Sequence, residues 1–445
     1  MATMQGNRIR IAFAVVSFLC FALILPDLKG IIQRNQREFD FEVYFTAAAL
    51  VRDNQDIHVY DDAGNGQDPQ LRFADKSTAF AHKAHELGID SLRLYVYPPT
   101  LADLLVPLTL VSLQRAEILW QWLNLLALIS IALMLSRMAG LKILSIGTLL
   151  IATFLVIYRP TAQCYLWGQI TIFLLLLVVA GLTFYGQGRK LPAALMFALA
   201  AAVKITPLIV IVPLIAWRDT KSLRNIALCL MGIFGVLWFV NGRELIVFYV
   251  LRVLPSMSGG IVTQDNRSLG SMLLLCWRVL THNGSPTAVI WGTKILSAGI
   301  FCYSGWISSF KFRDSSAEYR MAVIAEFFLL SCCLSPVAWL HAYMLAVPAI
   351  VILGKRALDG NLPRTEALLL MAFVLSLNCY RYNATAPIAG GSALHYLAVL
   401  PSIFALLTPV FGVMLGLAGV RRLNAQHGED SSRIATGRPA AIQSL

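Results

Sequence analysis

Charged residues are scarce in this sequence. Of its 445 residues, 13% are charged and 58% are hydrophobic, and the mean hydropathy is +0.68. The apolar residues recur in uninterrupted runs of about 17–25 residues, the length that a helix needs to cross about 30 Å of hydrocarbon. No soluble domain of this length has that balance. The composition therefore predicts an all-α polytopic membrane protein.

Several motifs of soluble enzymes and pumps are also missing. No glycine-rich phosphate loop precedes a Lys-Ser or Lys-Thr pair, which excludes an ATP-driven pump. No Cys/His set has zinc spacing, and the polar stretch has no Asp-x-Asp motif for a divalent ion, so we expect neither a metal nor another cofactor. The eight cysteines fall in or beside apolar runs and are expected to act as small buried hydrophobes. We find no internal repeat, which weakens the case for an inverted-repeat transporter.

The net charge of +12 is distributed unevenly. Residues 27–97 hold 12 acidic and 8 basic residues, a net of −4, so the rest of the chain carries +16. That excess lies mainly in short connectors between apolar runs, as the positive-inside rule requires, and does not form a patch for nucleic acid. If the apolar runs cross the membrane in alternation, six basic connectors lie on the same side of the membrane as the N-terminus. They are Arg137/Lys142, Arg189/Lys190, Arg218/Lys221/Arg224, Lys311/Arg313, Lys355/Arg356 and Arg421/Arg422. We predict that both termini are cytoplasmic and that the loop 27–97 is extracytoplasmic.

Twelve segments are candidate spans. They are 9–26, 116–138, 143–158, 169–185, 191–203, 205–217, 224–240, 286–309, 321–334, 338–353, 364–380 and 394–420. The segment 9–26 resembles a signal peptide but lacks a small-residue cleavage site, so we expect a retained helix. Two further apolar segments, 98–114 and 268–280, are expected to lie along the outer face or dip into it.

The domain organisation follows from these segments. We expect one transmembrane domain of about 10–12 helices over residues 1–423, in which 27–97 is the outer loop. The polar remainder, 424–445, is expected to be a disordered cytoplasmic tail.

Asp40 stands out in the outer loop because it lies near the membrane among aromatic residues, where a lipid-borne substrate could meet a base. The competing interpretation is a helix N-cap, since an apolar stretch follows directly. The two roles are compatible, and the sequence leaves both open.

Lys204 lies within an apolar run that Thr206 and Pro207 break. A lysine at the centre of a membrane helix costs about 2.5–3.5 kcal/mol on insertion scales, which favours a functional partner such as a phosphate. Non-helical backbone at membrane depth is tolerated where it lines a cavity. A snorkelling lysine near one interface is the alternative.

Other polar residues cluster on the predicted outer side. Gln169 offers a donor and an acceptor to a sugar hydroxyl, and His341 shares this face with Asp40. Each has an ordinary alternative as an interfacial or structural residue. The remaining candidates for binding donor or acceptor are Tyr44, Arg93, Tyr97, Asn266, Ser268 and Trp339.

The order of these motifs resembles glycosyltransferase family 87, over about residues 35–345. The matching motifs are Asp40-Phe-Glu-Val-Tyr44, Tyr97-Pro-Pro, Gly168-Gln169, Lys204-Ile-Thr206-Pro207, Asn266-Arg-Ser268-Leu269 and Ser335-Pro-Val-Ala-Trp339-Leu-His341. Members of the family often have a second histidine directly after the first, whereas this chain has Ala342 there.

The resemblance implies a GT-C-type helical bundle that transfers a hexose, typically mannose, from a polyprenyl-phosphate sugar with inversion and without a metal. Asp40 becomes the general base, Lys204 a candidate for the donor phosphate, and Asn266, Ser268 and His341 candidates for lining the site. The acceptor is expected to be an extracytoplasmic glycolipid or glycan, and the location a bacterial inner membrane. A transporter or lipid flippase, or a non-catalytic envelope-assembly partner, are the rival classes.

Overall fold

The fold is known from a computed structural model, which describes most of the chain. The described residues are 15–16, 18–20, 39–61, 63, 69–143, 145–257, 266–282, 287–309, 316–379 and 404–435. Most of the predicted first span 9–26, the connector 311–313 and the start of the last predicted span, 394–403, lie outside them.

The described part of the chain is built from helices. The α-helices are α1 (Phe39–Arg52), α2 (Ala79–Glu86), α3 (Pro99–Leu105), α4 (Leu113–Met138), α5 (Ile146–Ile157), α6 (Arg159–Trp167), α7 (Thr171–Gly186), α8 (Lys190–Val203), α9 (Ile211–Ala216), α10 (Thr220–Phe248), α11 (Leu269–Thr281), α12 (Thr287–Ser309), α13 (Ala317–Leu334), α14 (Val347–Leu358), α15 (Arg364–Asn378) and α16 (Thr408–Ala435). In this part β-pairing is limited to an isolated bridge between Phe73 and Arg93. The all-α polytopic fold class is confirmed.

Only some of these helices are both long enough and apolar enough to cross a bilayer alone. Three described stretches meet the length and hydropathy needed, namely α4, Thr220–Val240 of α10, and Leu340–Leu358, which joins a 3₁₀ turn to α14. Helices α5 and α6, bent by 56°, would make a fourth span if they act together. The predicted number of 10–12 spans also counted shorter apolar helices such as α7 and α8.

Two element boundaries differ from those predicted. Helix α10 continues past residue 240 to Phe248, with a break at Gly242, whose φ of +74° is readily adopted by glycine. Helix α16 continues to Ala435, so 424–435, predicted to be disordered, are helical here. Residues 436–445 lie outside the described residues.

Helix α13 is the centre of the bundle. Its aromatic residues Phe327 and Phe328 are completely buried. Helix α16 approaches it closely through Gly412 and Gly416, a small-xxx-small spacing that brings membrane helices together. At Gly416 an added Cβ would come within 2.8 Å of the Leu330 side chain.

The predicted break at Lys204 is confirmed. Helix α8 ends at Val203, Lys204 adopts an extended conformation with φ −153°, and a 3₁₀ turn from Thr206 to Val210 leads back into α9. The 14 residues of α8 rise only about 21 Å, less than the roughly 30 Å of a hydrocarbon core. Lys190, at the start of α8, pairs with Asp219, which follows α9, so the segment folds back on itself with Lys204 at the tip.

Candidate functional site

Asp40 lies in the first turn of α1 and faces the α6–α7 junction. Its Oδ2 accepts a hydrogen bond from Nε2 of Gln169, whereas Oδ1 accepts none from the described residues. Because α1 begins at Phe39, Asp40 is the second residue of the helix. The N-cap interpretation is therefore wrong for this structure.

Gln169 reaches Asp40 because the chain turns sharply before it. Gly168 ends α6 in the left-handed conformation, with φ +66°, and the Gln169 N–H donates to the Cys164 carbonyl at 2.9 Å. The Gln169 side chain is buried, at 2% exposure. This turn aims the amide at α1.

Both ends of the Gln169 amide are used within the protein. Its Oε1 accepts hydrogen bonds from the hydroxyls of Tyr44 at 3.1 Å and Tyr97 at 3.5 Å, while Nε2 donates to Asp40. The carboxylate can only accept, so it fixes which end of the amide faces it. Gln169 therefore holds the acid in place with one Nε2 hydrogen, and the second hydrogen of this group can still donate to a sugar hydroxyl, as predicted.

Two tyrosines form one wall of the site. The rings of Tyr44 and Tyr97 meet edge to face with centroids 4.9 Å apart. Tyr44 is completely buried and Tyr97 partly so. The hydroxyl of Tyr95 donates to the Pro98 carbonyl at 2.8 Å. Tyrosines near a membrane often lie in the interfacial aromatic belt, but the hydroxyls of Tyr95 and Tyr97 form hydrogen bonds inside the protein.

Lys204 and Arg93 bring positive charge to the acid. The Lys204 ammonium lies 5.6 Å from the centroid of the Tyr97 ring. Both cations interact electrostatically with Asp40, but neither forms an ion pair with it within the described residues. The guanidinium of Arg93 rests 5.3 Å from the Phe73 ring. Both cations therefore lie near the acid without pairing with it, and each lies against an aromatic ring.

The environment of Asp40 tunes its acidity. Burial raises the pKa of the Asp40 carboxyl to about 6, against the opposing effects of the Gln169 hydrogen bond and the charges of Arg93 and Lys204. A general base is most effective when its pKa lies near the working pH. By contrast, Asp53, at the end of the same segment, has its pKa lowered to about 2, first by the Arg52 hydrogen bond.

His341 is a further buried residue near Lys204. It is 2% exposed, its ring centroid is 6.4 Å from that of Trp167, and it interacts electrostatically with Lys204. Neither ring nitrogen forms a hydrogen bond with the described residues. A buried imidazole normally has such partners, so His341 retains hydrogen-bonding capacity beside the cationic side of the site.

Asn266 and Ser268 perform structural work. Asn266 donates from Nδ2 to the Pro336 carbonyl at 3.0 Å and accepts from the Ala338 N–H at 2.9 Å. The Ser268 Oγ caps α11 by accepting from the Ser271 N–H at 3.0 Å. These bonds join two loops and so position the segment that continues to the half-buried Trp339 and to His341. In this structure both side chains bind backbone groups of neighbouring segments and so hold the loop that leads to His341.

Sequence reasoning missed helix α6 and one of its residues. Cys164 is completely buried and interacts electrostatically with both Asp40 and Lys204, so it lies in the same cluster. The signals for the helix were present, since Pro160 stands at its start and Gly168 at its end. Among the described residues no three His, Cys, Asp or Glu side chains are grouped to hold a metal.

The fold and this site define a class: an all-α polytopic membrane protein in which the Asp40 carboxylate lies near the cations Lys204 and Arg93, next to the break between α8 and α9. The sequence profile of glycosyltransferase family 87 matches residues 95–336, and the chain belongs to that family. No solved structure matches this chain.

Curated relatives are mannosyltransferases of mycobacteria. The chain is 25% identical, over 58% of its length, to a polyprenol-phosphate-mannose-dependent alpha-(1-2)-phosphatidylinositol pentamannoside mannosyltransferase of Mycobacterium tuberculosis, and 23% identical to its counterpart of the same name in Mycolicibacterium smegmatis. It is also 23% identical to a phosphatidylinositol mannoside mannosyltransferase of M. tuberculosis. The chain spans 57%, 60% and 62% of the length of these relatives.

Proposed function

We propose that this protein transfers a hexose, the mannose of a polyprenyl-phosphate donor, to the hydroxyl of an extracytoplasmic glycolipid or glycan. The single observation that carries the proposal is the Asp40 carboxylate, fixed by Gln169 and facing Lys204 and Arg93. Family membership and the donor named for the curated relatives support the choice of substrate.

The proposed chemistry needs one base and one anion-stabilising group. Asp40 takes the proton of the acceptor hydroxyl through Oδ1, and the acceptor oxygen attacks the anomeric carbon of the sugar. The bond from that carbon to the phosphate oxygen breaks, and the electron pair leaves with the polyprenyl phosphate. Lys204 stabilises the phosphate charge, an electrostatic effect that is strong in a water-poor site.

Inversion at the anomeric carbon follows from a single displacement. One carboxylate acting as base, with no covalent intermediate, is the logic of inverting glycosidases. The sugar and its phosphate would lie between Asp40 and Lys204. Arg93 is a second cation near Asp40, and its charge would also stabilise the leaving phosphate.

The first prediction concerns Asp40. Asp40→Asn keeps an acceptor for the Gln169 N–H but removes the base, so the initial rate of transfer should fall about 10²–10⁴-fold. The measurement uses purified protein in detergent, a polyprenyl-phosphate-mannose donor and product detection by mass. The matched control is Asp53→Asn, an acid of the same segment that pairs with Arg52 and Lys83 and should leave the rate near wild type.

Transfer by Asp40→Asn at the wild-type rate would contradict the role of Asp40. The same assay separates the rival classes. A transporter or flippase would release no polyprenyl phosphate, and an assembly partner would show no turnover in isolation.

A further inference from the structure

A mostly apolar cleft lies between α11, α12 and the loop after α13. Its volume is about 170 Å³. Leu274 and Leu334 contribute apolar walls, while Lys294 and Ser297 contribute polar groups from α12. These two residues are three positions apart and therefore share one face of the helix.

Among the described residues that line this cleft, Lys294 is the one with a charged side chain. Its ammonium lies 4.8 Å from the centroid of the Trp291 ring, one turn earlier in α12. No acidic residue in the described part of the chain pairs with it. A lysine in an apolar helix without a carboxylate partner is costly unless it meets another anion or water.

The hydroxyls around the cleft differ in availability. Thr293 donates to the Ile290 carbonyl at 2.8 Å and Ser335 donates to the Val337 carbonyl at 2.9 Å. Ser297 makes no hydrogen bond to the described residues. Lys294 and Ser297 are thus two donors from the same face of α12 that have no partner among the described residues, and together they suit a phosphate oxygen.

The surroundings suit a membrane lipid. Trp291 is 57% exposed and Ile295 68% exposed, so α12 presents a large apolar surface next to the cleft. Tryptophan is enriched at the headgroup level of membranes. An acyl chain would lie against the apolar surface while a headgroup phosphate meets Lys294.

We propose that this cleft binds the phosphodiester of an anionic phospholipid through Lys294 and Ser297. The site is connected to the candidate active site because Ser335 and Pro336 line it, and five residues further along the same segment stands His341. Five residues span at most about 18 Å. We extend the proposal to the acceptor: the bound lipid carries the hydroxyl that Asp40 activates, and this extension rests on the proposed function.

The test of binding needs no turnover. Native mass spectrometry of the full-length protein in detergent measures the affinity for phosphatidylinositol, phosphatidylglycerol and phosphatidylcholine. Wild type should prefer the two anionic lipids, and Lys294→Gln should weaken their binding about tenfold, the loss of one charge-assisted hydrogen bond. Ser297→Ala should have a smaller effect in the same direction.

Two controls keep the result interpretable. Lys294→Arg retains the charge and should retain the preference, and Lys221→Gln removes an exposed lysine at the start of α10 and should change nothing. Equal binding of anionic lipid by wild type and Lys294→Gln would overturn the proposal. So would displacement of the bound lipid by inorganic phosphate or by a short polyprenyl phosphate at equal concentration, because the site would then not select a phospholipid.

The outcome is independent of the transfer chemistry. Asp40→Asn should bind anionic lipid as wild type does, so a lost lipid preference and a lost transfer activity are separate results. For the extension, Lys294→Gln should raise the KM for a phospholipid-based acceptor about tenfold without changing the KM for the donor. An unchanged acceptor KM in a variant with weakened lipid binding would overturn the extension alone.

Discussion

At the level of single residues, the site depends on Gln169, whose side-chain amide donates to Asp40 from one end and accepts from Tyr44 at the other. The Nε2 group stabilises the ionised form of Asp40, and Oε1 is held by Tyr44, so the amide cannot turn away. Burial acts in the opposite direction and raises the pKa of Asp40 to about 6. The carboxyl is thereby ionised at neutral pH and still basic enough to accept a proton.

This balance predicts a change in pH dependence. A base acts when ionised, so wild-type kcat/KM should fall as the pH drops through about 6. Gln169→Leu removes the hydrogen bond that lowers the pKa of Asp40, and the acid limb should therefore move to higher pH. The measurement is kcat/KM for the donor between pH 5 and 9, and the activity that Gln169→Leu loses at pH 6–7 should return at the alkaline end.

A purely structural role for Gln169 gives a different profile. Activity would then drop by the same factor at every pH, with the acid limb unmoved. Tyr44→Phe is the graded control, because it frees one bond to Oε1 but leaves the Gln169 N–H on Asp40. Its acid limb should lie between those of wild type and Gln169→Leu.

Among the helices, the sequence was most informative where apolar runs are long and clearly bounded. The predicted 116–138 corresponds to α4 at Leu113–Met138, and 364–380 to α15 at Arg364–Asn378. Helix α6 escaped prediction because its polar residues, among them Arg159 and Gln163, are buried inside the protein. Arg159 bonds to Asn378, which is distant in the sequence, and hydropathy does not record such contacts.

The same limit applies to the candidate site. Motif order brought Asp40, Gln169 and Lys204 forward, and the structure places them together. The motif order did not reveal that the side chains of Asn266 and Ser268 would form hydrogen bonds with backbone groups of neighbouring segments. Such pairings depend on the path of two loops in space, which a local pattern cannot specify.

The packing of α16 on α13 makes a prediction at the level of helices. At Gly416 an added methyl group would lie 2.8 Å from the Leu330 side chain. Gly416→Ala should therefore lower the free energy of unfolding by about 1–3 kcal/mol, the usual effect of overpacking. Thermal unfolding in detergent measures the change.

The matched control is Gly354→Ala in α14, where an added Cβ meets nothing within 4 Å. Alanine favours a helix over glycine by up to about 1 kcal/mol, so this variant should be neutral or slightly stabilised. Equal stability of the two variants would mean that α16 does not pack closely on α13.

For the whole molecule, the contacts agree with the sidedness inferred from charge. Asp40 meets Gln169, and both belong to the predicted outer side. At the predicted inner side Lys190 pairs with Asp219 at 2.7 Å, and Arg422 pairs with Glu366. The long-range polar contacts described above join segments of the same predicted side, as a consistent topology requires.

The orientation of the whole chain can be tested by chemical labelling. The positive-inside rule places the loop that holds Asp40 outside and Lys221 at the cytoplasmic face. In a background without the exposed Cys276 and Cys302, we expect a cysteine placed at Glu86, an exposed position of α2, to react with a membrane-impermeant maleimide on intact spheroplasts. Lys221→Cys should react only after permeabilisation, because the positive-inside rule keeps its basic connector on the cytoplasmic side of the membrane. The reverse labelling pattern would place Asp40 in the cytoplasm and contradict an extracytoplasmic acceptor.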